Sequence, residues 1–371
     1  WLLQDLSIDL HAKVIELKFL TNLVTTIDQK IDAFHKLGEL FKDISDESKD
    51  SLYQEWIEKF NKKIVSAYQY NNWFTKDYIL LSFKNWSKEL VDKNLSFWIN
   101  KYEKKDCSNK TIAIIMAGNL PIVGFHDFIC ATILNYNCLI KMSSEDKIIL
   151  PIIIDFLDFL NPGFKNKIEF TDKPIKNFDG VIATGSNSSF KYFEYYFKKY
   201  PKLLRKTRHS IAVLDGNESE IDLENLGKDI FNYFGMGCRS ISKILVPKNY
   251  NFDLLFNALF KFKEVINHNK YANNYDYNKT VYLMSNQKFI ENGFLILKED
   301  NKLGSPIGCL FYQFYENSND LNSYITNYKD SLQCVVSNLK INSFTCFGES
   351  QSPKIDDYAD NIDTLDFLLK I

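Results

Sequence analysis

The chain has 371 residues, too many for one small core and the right length for two domains of ordinary size. Hydrophobic residues make up 45% and charged residues 25%, which excludes a disordered chain. With 45 basic against 47 acidic residues the formal net charge is -2, so nothing in the bulk charge calls for nucleic acid or an anionic membrane, and a small-molecule substrate fits better. Seven cysteines, an odd count without paired or metal-like spacing, read as reduced thiols of a cytoplasmic protein with no disulfide and no metal site. The densest apolar run, "IILPIIIDFLDFL" at 148–160, is broken by Pro151, Asp155 and Asp158, so no membrane span is expected. Residue 1 is Trp, with no basic region leading into an apolar core; no signal peptide is expected there, and a few residues are expected to precede it.

In chain order, residues 1–107 contain no Pro and a single Gly, with apolar residues at helical spacing, which predicts a mainly helical N-terminal region. "TIAIIMAG" (111–118) reads as a buried strand, "LPIVGFHDFICATILNY" as a helix, and "CLIKMS" (138–143) as a second strand. A helix over about 146–160, strands near 167–170 and 180–185, a helix over about 187–199 and the strand "SIAVLD" (210–215) continue the pattern. Short apolar strands alternating with helices predict a doubly wound parallel sheet over 108–225. A helix at 222–235 and the strand "ISKILVP" open a second unit over 226–345, and residues 346–371 read as a tail that docks back.

Several side chains in this frame carry chemistry. Cys238, in "FGMGCRS", is flanked by Gly237 and Arg239; a neighbouring cation favours a nucleophilic thiolate, while a small buried residue between helix and strand is the structural alternative. Asn119 follows the first strand, where open α/β sheets bind ligands, and reads either as an oxyanion donor or as a helix cap. His126 shares a face with Asn119 if the helix is continuous, as an acid or base or as a satisfied structural histidine. Lys141 with Ser143 and Ser144 closes the second strand, and Gly185 with Ser186 closes another; both suit a nucleotide's ribose and phosphates, yet neither matches the dinucleotide or phosphate-loop fingerprint. The basic stretch "YPKLLRKTRHS" (200–210) reads as a solvated turn or, through Arg205, Lys206 and Arg208, as a phosphate receiver.

Taken in order, "GNLPIVGFHDF", "LIKMSSEDK", "IATGSNSSFKYFEYYFKKYP", "DLENLGKDIFNYFGMGCRSISKILVPK" and "FGESQSPKIDDYADNIDTLDFL" resemble the acyl-CoA reductase family of the bacterial bioluminescence type, a branch of the aldehyde dehydrogenase superfamily. The resemblance runs from about 108 to 371. It implies an aldehyde dehydrogenase-like α/β fold: two doubly wound three-layer domains with a helical N-terminal region. It implies Cys238 as the catalytic thiol, Asn119 as oxyanion donor, Lys141 on the adenosine ribose, and Ser143, Ser144, Gly185 and Ser186 beside the cofactor. The implied reaction is NADPH-dependent reduction of an acyl thioester, from acyl-CoA or acyl-protein, to the aldehyde through an acyl-cysteine. A homo-oligomer, and an acyl-transferase or acyl-protein synthetase as partner, come with the family.

Departures from the superfamily pattern shape that expectation. The Glu that activates water in aldehyde-oxidising members has no counterpart in "RKTRHSIAVLDG", and the Glu that contacts the nicotinamide ribose has none in "NKLGSPIGC". Ser144 stands where many members carry a Glu on the ribose hydroxyls; losing that charge removes a repulsion against a 2'-phosphate, so NADPH is expected, with NADH also accepted because Glu145 is the next residue. The rival readings are an NAD(P)-dependent aldehyde dehydrogenase making acid, and a non-catalytic scaffold subunit.

Overall fold

The computed structural model describes residues 26–103, 105–339 and 345–371. The first 25 residues of the expected helical region lie outside them. Helices α1 (Ile27–Ser45), α2 (Gln54–Tyr70), α3 (Lys76–Glu89) and α4 (Asp92–Ile99) form the N-terminal layer. α1 starts where Thr26 and Gln29 exchange side-chain and backbone bonds, a capping box that satisfies two donors which the first turn leaves free. The layer buries Phe34, Phe41, Phe60 and Phe83, with Phe41 stacked on Phe83 at 4.2 Å between ring centroids.

This layer covers one face of a five-stranded sheet. Its strands are β1 (Thr111–Ile115), β2 (Asn137–Lys141), β3 (Ile168–Phe170), β4 (Gly180–Thr184) and β5 (Lys202–Arg205), in the order β3-β2-β1-β4-β5 and all parallel. α5 (Phe125–Ile133) and α6 (Ile149–Leu160) join the strands on the side of the N-terminal layer, where Phe125, Phe128 and Phe156 share its core. α7 (Asn187–Tyr196) follows β4, and Phe193 packs with Ala113, Val181 and Ala183 on the other face. The strand order reverses between β1 and β4, so a crevice opens beyond the C-terminal ends of those two strands.

The second sheet holds β6 (His209–Val213), β7 (Ile241–Pro247), β8 (Ile290–Glu291), β9 (Ile296–Glu299), β10 (Cys309–Tyr315) and β11 (Leu332–Val336), in the order β11-β6-β7-β10-β9-β8. All pairs are parallel except β8 with β9. Alternate residues of β6 and β7 face opposite layers. Ala212, Ile244 and Val246 meet α8 (Glu220–Phe231), α9 (Phe252–Leu259) and α10 (Asn269–Met284), while Ile211, Val213 and Leu245 meet α11 (Ser318–Tyr328). After β11 the chain runs back to the first unit, where α12 (Thr364–Leu369) packs against α5 and Tyr136 donates to the Leu368 carbonyl at 2.7 Å.

Three differences from the sequence reading bear on the site. β6 lies in the second sheet, between β11 and β7, so the chain changes sheets between Arg205 and His209, ahead of the expected boundary at 225. Its apolar run fits either sheet, and only pairing over a long sequence separation decides between them. The stretch read as a basic turn contains β5, in which Leu203 and Arg205 are buried. α5 starts at Phe125 and not at Leu120: Pro121–Gly124 form a turn in which Ile122 takes a φ of 50°.

Candidate active site

The crevice between β1 and β4 gathers three loops. Gly118, just past β1, touches the loop after β2 so closely that a Cβ there would fall 2.4 Å from Ser143 Oγ; only glycine permits the approach. Ser143 Oγ in turn accepts from the Glu145 backbone N–H at 3.1 Å, and Ser144 and Glu145 are exposed. Lys141 ends β2 with its Nζ donating to the carbonyls of Asp172 and Lys173 at 3.3 and 3.4 Å. Gly185 follows β4, and Ser186 caps α7 by accepting from the Ser189 N–H at 3.3 Å. Ser186 therefore has a structural role, and β4 leads through Gly185 and Ser186 directly into the N-terminus of α7, whose first N–H groups have no partner within the helix. The donor set of an ammonium, hydroxyls and a helix N-terminus, with glycine where the backbones close up, fits a nucleotide held by ribose and phosphate.

The loop that carries Cys238 is built from strained backbone. After α8, Tyr233, Phe234 and Gly235 have φ of 54°, 56° and 74°; glycine takes this region freely, but the two aromatics do not. They are held there by packing from the N-terminal layer and α10. The Phe234 ring lies 4.2 Å from His268, 4.8 Å from Tyr78 and 5.1 Å from Trp73, and Tyr233 Oη is 3.2 Å from Ser82 Oγ. The chain then passes through Met236–Ser240 into β7, with Cys238 exposed. Buried Ser210 on β6 donates to the Cys238 carbonyl at 2.8 Å, and the Gly237 N–H donates to Ser240 Oγ at 3.1 Å.

Asn119 meets this loop across the two units, its Nδ2 donating to the Met236 carbonyl at 3.0 Å. It does not cap α5, whose cap position is Gly124. An amide has two N–H donors, and Met236 takes one. The thiol, an amide beside its loop and the crevice thus sit at the junction of the two sheets.

No protein-family model matches the chain, and no curated protein matches it. Solved structures do. Aldehyde dehydrogenase 21 from Physcomitrella patens, with its reaction product succinate, matches at a TM-score of 0.59 and 8% identity over 86% of this chain and 75% of that one. The indole-3-acetaldehyde dehydrogenase of P. syringae, in complex with NAD+, matches at 0.60 and 10% identity over 87% and 75%. The delta-pyrroline-5-carboxylate dehydrogenase of Mycobacterium tuberculosis matches at 0.56 and 12% identity over 94% and 78%. The chain has the aldehyde dehydrogenase fold.

Within that aldehyde dehydrogenase fold the charges around Cys238 do not act as the sequence suggests. Arg239 is paired with Asp357 at 2.8 Å, and Arg208 with Asp360 at 3.1 Å, both carboxylates coming from the C-terminal tail. The surrounding protein desolvates the thiol and raises its pKa, and the Asp360 charge adds to the rise; the Arg208 backbone and Arg239 oppose it without reversing it. His126 lies away from this site: Nε2 is 2.8 Å from the Ile355 carbonyl, the ring sits between Trp86 and Trp98, and burial lowers its pKa. It is a structural histidine. Arg205 is also structural, since its guanidinium is buried against Asp127, the Ala359 carbonyl and Thr364.

Sequence reasoning missed the groups that hold the loop. Ser210 reads as an ordinary strand residue. Gln351 Nε2 donates to Ser240 Oγ at 2.9 Å, and Asp229 accepts from the Ser350 hydroxyl at 2.6 Å and its N–H at 3.0 Å; these bonds fasten the tail beneath the loop. The run "GESQSP" carries the only sequence signal, a polar stretch where a docking tail is expected. Among the described residues no helix is long and apolar enough to cross a membrane.

Proposed function

We propose that the protein reduces an acyl thioester to an aldehyde at Cys238, using NADPH. The observation that carries this reading is the state of the carboxylates at the thiol. Asp360, whose charge acts on the thiol, is paired with Arg208, Asp357 is paired with the neighbouring Arg239, and the segment before β6 offers buried Arg205 where a water-activating Glu would be needed. A site without a hydrolytic base suits acyl exchange between thiols, in which one thioester replaces another and no water has to be activated.

In that mechanism Cys238 Sγ gives up its proton and attacks the thioester carbonyl. The second N–H of Asn119 and the Cys238 backbone N–H stabilise the oxyanion, and the CoA or carrier thiol leaves with a proton, giving the acyl-cysteine. Lys141, Ser143, Ser144, Gly185 and Ser186 would hold a reduced nicotinamide cofactor, which when bound would supply the hydride for the second half-reaction. The chain's own part is then to hold the carbonyl oxygen as charge returns to it, and to receive a proton on Cys238 Sγ as the aldehyde departs.

A second reading is favoured by the solved structures, which are aldehyde dehydrogenases: oxidation of an aldehyde to an acid with NAD(P)+. The two are separated by running both directions. A panel of fatty and short acyl-CoAs with NADPH is expected to oxidise the cofactor. Aldehyde with NAD(P)+ is expected to reduce it only when CoA or another thiol acceptor is present. Acid formed from aldehyde without an acceptor would establish the second reading and dismiss the first.

A further inference from the structure

The loop carrying Asn119 bridges two loops that the proposed reaction must coordinate. On the crevice side, Gly118 lies against Ser143 and the Ile122 N–H donates to Asp146 Oδ2 at 2.7 Å. On the thiol side, Asn119 donates to Met236, and Leu120 Cδ1 sits where a Cβ on Gly237 would meet it at 3.1 Å. Ile122, three residues after Asn119, has a φ of 50°, a region that β-branched residues avoid unless the surroundings enforce it.

Asp146 is the side chain that receives the Ile122 N–H in this conformation. It follows the ribose-side residues Ser143–Glu145, and its own N–H donates to the Ser143 carbonyl at 3.2 Å, so the carboxyl is presented by the tight turn that also packs on Gly118. Burial pushes the carboxyl up to about 7, opposed by the Ile122 N–H. The side chain is part-buried against the loop, with the Ile122 N–H on one carboxyl oxygen.

We propose that Asp146 is a positioning residue: by holding Ile122 in its left-handed conformation, it aims the Asn119 amide at the carbonyl that Cys238 attacks. The inference rests on the reading of Cys238 and Asn119 as nucleophile and oxyanion donor. It does not depend on the identity of the acyl donor. The same turn contacts the crevice at Ser143, so Asp146 joins the cofactor side of the site to the acyl side through covalent chain and one hydrogen bond.

The test is the pre-steady-state burst of p-nitrophenolate from p-nitrophenyl acetate, which needs the thiol and the oxyanion donor but neither CoA nor cofactor. Asp146→Ala is expected to slow the burst about tenfold or more, the scale at which a misplaced catalytic group loses rate. Asp146→Asn keeps an oxygen acceptor for the Ile122 N–H and is expected to stay within about twofold of wild type. In an Asn119→Ala background, Asp146→Ala is expected to make no further difference, because the group it aims is gone. If Asp146→Ala does not fold, Asp146→Ser, too short to reach Ile122, replaces it with the same expectation. A wild-type burst in Asp146→Ala, or an equal loss in both backgrounds, overturns the proposal. Because the ester bypasses CoA and cofactor, this result is independent of whether any acyl-CoA is reduced.

Discussion

Asp127→Ala removes the counter-charge of Arg205 and tests whether that arginine is part of the scaffold or a phosphate receiver. The two side chains are 8% and 5% exposed and meet at 2.6 Å; Arg205 also donates to the Ala359 carbonyl at 2.6 Å and to Thr364 Oγ1 at 2.8 Å. Breaking a buried pair from one side costs about 3–5 kcal/mol, because the remaining ion is left desolvated without a partner. Two neutral acceptors stay in place here, so the lower end, about 3 kcal/mol, applies. At about 2.1 cal/mol/K per residue, a chain of 371 residues shifts by about 1.3 °C per kcal/mol, so the melting temperature falls by about 4 °C. Thermal unfolding followed by circular dichroism reads this loss. Limited proteolysis is expected to cut the variant first within the tail that Arg205 anchors, and Asp127→Leu combined with Arg205→Met is expected to recover most of the stability. An unchanged melting temperature together with weakened NADPH binding would refute the structural role and return Arg205 to the phosphates.

The thiol's raised pKa predicts that alkylation of Cys238 by iodoacetamide climbs about tenfold per pH unit between about pH 6.5 and 8.5 with no plateau, since only the thiolate reacts and its pKa lies above the ordinary 9.0; a plateau below pH 8 would contradict the burial argument. Ser210→Ala deprives the Cys238 carbonyl and the Cys334 N–H of their shared partner. It is expected to destabilise the fold by about 2 kcal/mol in urea titrations and to slow the ester burst about tenfold; an unaltered burst would show that the loop holds its shape without Ser210. Ser144→Glu is expected to raise the KM for NADPH about tenfold and leave that for NADH nearly unchanged, a like-charge repulsion of about 1.4 kcal/mol; an equal effect on both cofactors would dismiss the charge argument.

Local pattern carried the sequence reading as far as local physics reaches. The strand "ISKILVP" is β7 residue for residue, and β1, β2 and β4 stand where buried apolar runs predicted them, because strands covered on both faces have no polar side to disguise them. β6 shows the limit: its residues foretell a strand, but its neighbours β7 and β11 are chosen by contacts far away in sequence. The same holds for the site. Cys238 stood out through its glycines and its place before a strand, both local features. The state of its charge did not, since Arg239 and Arg208 are neutralised by Asp357 and Asp360 from the tail. The helix expected from Leu120 was shortened by a turn whose unusual member, Ile122, has no special residue type; its N–H is received by Asp146 through tertiary contact.

In the proposed reaction Cys238 carries the acyl group on its way to the aldehyde. This is tested most directly by mixing the protein with a long-chain acyl-CoA in the absence of cofactor, digesting it, and weighing the peptide that contains Cys238. An acyl adduct is expected on Cys238 alone, absent from Cys238→Ala and discharged as aldehyde when NADPH is added. An adduct on Cys346 or another residue, or acyl-CoA reduction that survives Cys238→Ala, would contradict it.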